Sequence, residues 1–138
     1  MRIFLDANIL VSVLNKEYPL FTYSARILSL ADNTAFEIFT SPICLAIAFY
    51  FAEKKSGGTV AKNKISLLVS KINIAEADEI VVLNAAQNKV VGDFEDGLEY
   101  YSALKARCKW IVTEDINDFH FSKLPVMTAR QFLEEHVL

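Results

Sequence analysis

The chain has 138 residues, of which 53% are hydrophobic and 22% charged, with only 3 Pro and 4 Gly. That composition predicts one packed domain over residues 1–138 with short loops, and it excludes a disordered or linker-rich protein. The 14 basic and 17 acidic residues leave a formal charge of -3, which offers no bulk attraction to nucleic acid, and Cys44 and Cys108, without a Cys-x-x-Cys spacing, exclude a disulfide scaffold or zinc cluster.

Ile3 to Leu5 form an apolar run ending at Asp6, which predicts a central strand buried on both faces, followed by a loop containing Asn8. Ser24 is placed to cap a helix running to about Ala31. Phe36 to Thr40 reads as a second strand. Ser41 and Pro42 then start a helix, with proline at the first helical position, where its missing N–H costs nothing. That helix is apolar almost all round from Ile43 to Ala52, which implies burial between the sheet and another helix or a subunit. Those ten residues are about half the length of a membrane span, and a carboxylate at position 6 comes too early for a signal peptide. A reduced, cytoplasmic protein without membrane association is therefore expected.

Ser56-Gly57-Gly58 ends this helix, and Thr59 can cap the next, in which Ala61, Ile65, Leu68 and Val69 share a stripe. Ile72 to Ala75 gives a third strand. Asp78 begins a short helix ending near Asn88, and Asp93 caps another with Asp96 in its first turn. Trp110 to Thr113 makes a fourth strand, closed by an acidic turn of Glu114, Asp115 and Asp118. Pro125 to Met127 gives a short last strand, and Thr128 with Gln131 forms a capping box for a terminal helix. Parallel strands require such crossovers, so the expected fold is α/β, a three-layer α/β/α sandwich around a mostly parallel sheet of four or five strands.

Ligands of open parallel sheets bind beyond the carboxyl ends of the strands, where Asp6 and Asp115 fall, and Asp96 can face the same crevice. Magnesium takes oxygen ligands and keeps several waters, so two or three carboxylates from separate elements are enough to hold it. Each residue also has a purely structural use: Asp6 bonding backbone amides, Asp96 favouring a helix N-terminus, Asp115 and Asp118 making Asx-turns. Spacing does not separate the two. Lys54, Lys55, Lys62, Lys64 and Lys71 would bind a phosphate backbone if they flanked an acidic site, although lysines at helix ends are more often a solvated surface. With His120 and His136 as the only histidines, and no phosphate-cradling glycine loop, other hydrolytic constellations find little support.

Three ordered motifs carry a resemblance. Phe4-Leu5-Asp6-Ala7-Asn8, the run from Asp93 to Leu104, and Thr113-Glu114-Asp115-Ile116-Asn117-Asp118-Phe119 resemble the three acidic motifs of PIN domains, and most nearly those of small bacterial proteins related to VapC-type toxins. Phe121 to Leu133 is similar to the family's usual ending, so the likeness spans essentially the whole chain. The resemblance implies an endoribonuclease that hydrolyses RNA with Mg2+ or Mn2+, acting as the toxin of a toxin–antitoxin pair. It puts the metal on Asp6, Asp96 and Asp115, has Asp118 orient the attacking water or support the ligands, and leaves Asn8 and Ser12 to hydrogen-bond nearby. Two positions depart from the pattern: the family's middle glutamate falls near Ile47, with Glu53 two turns too late, and Glu114 stands where many relatives have arginine. The alternative is a catalytically impaired PIN-like protein that binds RNA or protein. The apolar content of 43–52 and 78–88 adds the expectation of a homodimer besides the antitoxin.

Overall fold

The computed structural model describes residues 1–137. Five parallel strands, β1 (Arg2–Leu5), β2 (Glu37–Thr40), β3 (Asn73–Ile74), β4 (Trp110–Val112) and β5 (Val126–Met127), form one sheet in the order β3-β2-β1-β4-β5. β1 is central, as its apolar run requires, with Ile3, Phe4 and Leu5 each fully buried. From β1 the chain builds outward through β2 and β3, then returns to lay β4 on the other side of β1. The two halves of the sheet thus part between β1 and β4, and the loops there splay open to leave a crevice.

Among the described residues seven α-helices cover the sheet: α1 (Ala7–Leu14), α2 (Leu20–Ser29), α3 (Pro42–Ser56), α4 (Gly58–Val69), α5 (Glu79–Gln87), α6 (Phe94–Lys105) and α7 (Ala129–His136). α3 packs on α1, α4 and α6, α5 packs on α6, and α2 packs on α7, completing the α/β/α sandwich. Several ends are closed by the side chains the sequence offered. Ser41 accepts from Cys44 N, Asp78 from Val81 N and Asp93 from Glu95 N, while Thr128 and Gln131 form the capping box.

Three local expectations need correction. Asn8 lies in the first turn of α1 and not in a loop, because Asp6 itself caps that helix. α1 carries no visible polar period because Ala7, Ile9, Leu10, Ser12 and Leu14 are all buried. Ser24 caps nothing: α2 begins at Leu20, directly after Pro19, so Ser24 falls one turn inside on the buried face. Thr59 is likewise inside α4. Gly57, at φ 84°, links α3 to α4 by itself, a backbone angle that glycine alone adopts without cost.

Candidate active site

Asp6 ends β1 and starts α1. Its N–H donates to Val112 O on β4 at 3.0 Å, its Oδ1 accepts from Ala7 N at 2.6 Å, and its Oδ2 accepts from Thr113 Oγ1 at 2.7 Å. The buried Thr113 hydroxyl accepts in turn from Asn8 Nδ2 at 3.1 Å and from Asp115 N at 3.0 Å, so its capacity of one donor and two acceptors is filled. Asn8 Nδ2 also reaches Asp115 Oδ2 at 3.2 Å, and its Oδ1 accepts from Glu114 N at 3.3 Å. Asn8 and Thr113 therefore clamp the acidic turn after β4 onto the end of β1. Ser12 does not join them: fully buried, it donates to Ile9 O at 2.7 Å within its own helix.

Asp96 projects from the first turn of α6, and Asp118 from the 3-10 turn Ile116–Phe119. With Asp6 and Asp115 they line one open cleft of about 410 Å³. Asn8, Glu17, Ile47, Phe51, Glu95 and Glu99 line it too. Seven of the lining residues are acidic and, among the described residues, none is Lys, Arg or His. None of the five lysines lines it: Lys55 donates to Asn15 O, Lys64 to Leu14 O at 2.7 Å, both at the C-terminal end of α1, and Lys71 joins Lys64 in a separate apolar groove. Glu114 has its own use. Its Oε2 accepts from Ala129 N at 3.0 Å, which ties the acidic turn to the start of α7 and turns the extra charge away from the cleft.

A further carboxylate, which the motif reading did not single out, stands behind these. Glu99, one turn along α6 from Asp96, is 2% exposed and accepts from Cys44 Sγ at 3.0 Å. Its carboxyl faces that of Asp6. Ligand atoms of Asp6, Cys44 and Glu99 all lie within 4.8 Å of one another. Cys44 accepts from Ser41 Oγ at 3.3 Å, and burial, followed by the charges of Glu99 and Asp6, raises its thiol well above the usual range. Burial, then the neighbouring Asp6 carboxyl, pushes Glu99 up to about 11, so it holds a proton at neutral pH. The nearest sequence signal was the Asp-x-x-Glu spacing at 96 and 99, which places two carboxylates on one helix face.

Mutual repulsion also reaches Asp96. Burial, then the charges of Asp93, Asp118, Asp6 and Glu95, raises its pKa from 3.8 to about 7, and Asp118 is raised by burial, then by Asp115, Asp6 and Asp93. Between about pH 4 and 7 folded Asp96 keeps a proton that the unfolded chain has released, so stability from this group is present at low pH and is lost as pH rises through 7. We predict that, in EDTA, Asp96→Asn gains stability relative to wild type as pH rises from 5 to 8. Urea unfolding at both pH values checks this, and a difference that shrinks with pH would contradict it.

The donor set fits a hard divalent cation. It presents carboxylate oxygens from several elements with no competing cation in the lining, and the one sulfur, Cys44, remains a protonated thiol. An acidic cleft at the parting of a parallel α/β sheet is the arrangement of a metal-binding α/β domain. Residues 2–117 match the family described as PIN domain, to which the chain belongs. It is 25% identical to Ribonuclease VapC1 of Aquifex aeolicus over 137 residues, covering 96% of this chain and 94% of that protein. The fold is similar to VapBC2 from Rickettsia felis, solved bound to a DNA fragment from its promoter, with TM-score 0.70, 21% identity, and 92% of this chain and 97% of that chain covered. It is also similar to the Sarcin-Ricin loop cleaving toxin VapC20 of Mycobacterium tuberculosis, with TM-score 0.63, 13% identity, and 79% and 86% covered.

Proposed function

We propose that the chain is a metal-dependent endoribonuclease that hydrolyses RNA phosphodiester bonds, and that it is the toxin of a toxin–antitoxin pair. The observation that carries this reading is the arrival of Asp6, Asp96, Asp115 and Asp118 from three separate elements in one open cleft of a PIN domain. Asp6, Asp96 and Asp115 would hold Mg2+ or Mn2+. Such an ion, when bound, offsets charge on the phosphodiester's non-bridging oxygens and lowers the pKa of water. Asp118 is exposed at the mouth, where its carboxylate can accept a hydrogen bond from the attacking water and align it. Asn8 holds Asp115 in place through its Nδ2. Thr113 does the same for Asp6.

Incubation of single-stranded and stem-loop RNA with the protein in EDTA, Mg2+ or Mn2+ tests the reading, with cleavage expected only with metal. Metal binding without cleavage would instead favour an impaired PIN-like protein that binds RNA or protein, a reading supported by apolar Ile47 in the cleft wall. Turnover of simple phosphate esters with RNA left intact would point to a phosphatase.

The antitoxin partner is carried over from the VapBC relatives, and the proposed location is the cytoplasm. No helix among the described residues is long and apolar enough to cross a membrane. A homodimer is proposed from the apolar groups left exposed: Tyr50 (53%) and Phe51 (44%) on α3, Ile80 (65%) and Leu83 (48%) on α5. We predict a dimer by light scattering at micromolar concentration, converted to a folded monomer by Ile80→Asp with Leu83→Asp. A monomeric wild type would overturn it.

A further inference from the structure

We propose that Glu99 supplies a fourth carboxylate ligand to the cleft from α6, in the space that α3 leaves apolar at position 47. This rests on the metal-dependent reading above and adds a residue which that reading does not use; on binding, the ion would displace the carboxyl proton of Glu99 to solvent. Asp96 and Glu99 are three residues apart on α6, so both project from one helix face, and both line the cleft. Across from them on α3, Ile47 lines the cleft, and the buried Cys44 lies three residues before it. Because Cys44 Sγ donates to Glu99 Oε1 at 3.0 Å, the Glu99 head group lies against the same α3 face that carries Ile47. A carboxylate at position 47 would add another like charge to this part of the cleft, and an isoleucine there adds none.

Glu99 is also aimed at the right neighbour. Its carboxyl lies beside that of Asp6, and the two offer ligand oxygens within 4.8 Å of each other, near enough for one divalent ion to take both. The thiol of Cys44 acts on Glu99 as a positioning group. One carboxyl oxygen accepts from sulfur, which fixes the rotamer that turns the head group toward Asp6. A purely structural acid would more economically be a glutamine, which can satisfy both neighbours without placing another acid beside Asp6.

The test is Mn2+ titration of the EDTA-stripped full chain by calorimetry, with thermal unfolding of the metal-free protein and RNA cleavage, for wild type, Glu99→Gln, Glu99→Asp and Ile47→Glu/Glu99→Gln. Glu99→Gln is expected to unfold near the wild-type temperature yet bind Mn2+ roughly ten- to a hundredfold more weakly. The double variant is expected to recover part of that loss. Wild-type Mn2+ affinity in folded Glu99→Gln overturns the inference. Should Glu99→Gln fail to fold, the decision passes to Glu99→Asp, whose shorter reach must weaken Mn2+ binding. Wild type that binds Mn2+ in a Glu99-dependent way but leaves RNA intact defeats the ribonuclease reading and keeps the ligand role. Wild type that cleaves RNA while its Mn2+ affinity ignores Glu99 does the reverse, and wild type that binds no Mn2+ overturns both.

Discussion

Replacing Asp6, Asp96 or Asp115 with Asn is expected to slow RNA cleavage by about three orders of magnitude each. Loss of the metal's charge stabilisation costs several kcal/mol in the transition state, and each 1.36 kcal/mol is tenfold in rate. The variants are expected to part company in stability. Asp96 is half-buried among four other carboxylates, so Asp96→Asn relieves repulsion and should stabilise the metal-free protein at neutral pH. Asp6 has a second role in the fold. Asparagine at that position still caps α1, since asparagine and aspartate cap about equally well. Its amide nitrogen, however, would face a Thr113 hydroxyl that already accepts two hydrogen bonds and has lost its own acceptor, at a cost of roughly 1–3 kcal/mol. Single-turnover cleavage, Mn2+ titration and thermal unfolding in EDTA separate these effects. Metal binding that persists unchanged in all three variants would dismantle the assigned site.

Phe119→Ala is expected to destabilise the fold by about 3–5 kcal/mol, the range for removing a buried ring. The ring is 2% exposed and closes the turn Ile116–Phe119, with Phe121 tilted beside it at 6.1 Å between centroids. This one side chain anchors the segment that presents Asp115 and Asp118. Urea unfolding should show the loss directly, and Mn2+ affinity should fall with it, because carboxylates on a loosened turn must be ordered again on binding. A loss below about 1 kcal/mol would mean that the cavity collapses and that the clamp of Asn8 and Thr113 holds the turn without the ring.

The order of elements was readable because its signals are local. The apolar run at Ile3–Leu5, the caps at Ser41, Asp78, Asp93 and Thr128, and the acidic turn after Trp110 each depend on residues within one turn of each other. Those signals placed Asp6, Asp96, Asp115 and Asp118 at strand ends and a helix start, and the cleft lining brings all four together. Local reading failed where two candidates competed. Ser24 and Thr59 are plausible caps in isolation, yet Pro19 and Gly57 set the actual starts of α2 and α4. It failed also for α1, because burial on several sides erases the polar period that reveals a helix.

By itself, then, the sequence determined the strand and helix order and the positions of four aspartates. Tertiary structure decided what those aspartates touch. Thr113 reaches Asp6 across 107 positions, and Cys44 reaches Glu99 across 55, so neither contact leaves a mark in any local window. The protonation of Glu99 and the raised pKa of Asp96 follow from burial first, which no single segment controls. A carboxylate's neighbours within a turn fix its address, but its solvation depends on which distant elements close over it, and here α3 and α6 close over Glu99 only because the parallel sheet brings them side by side.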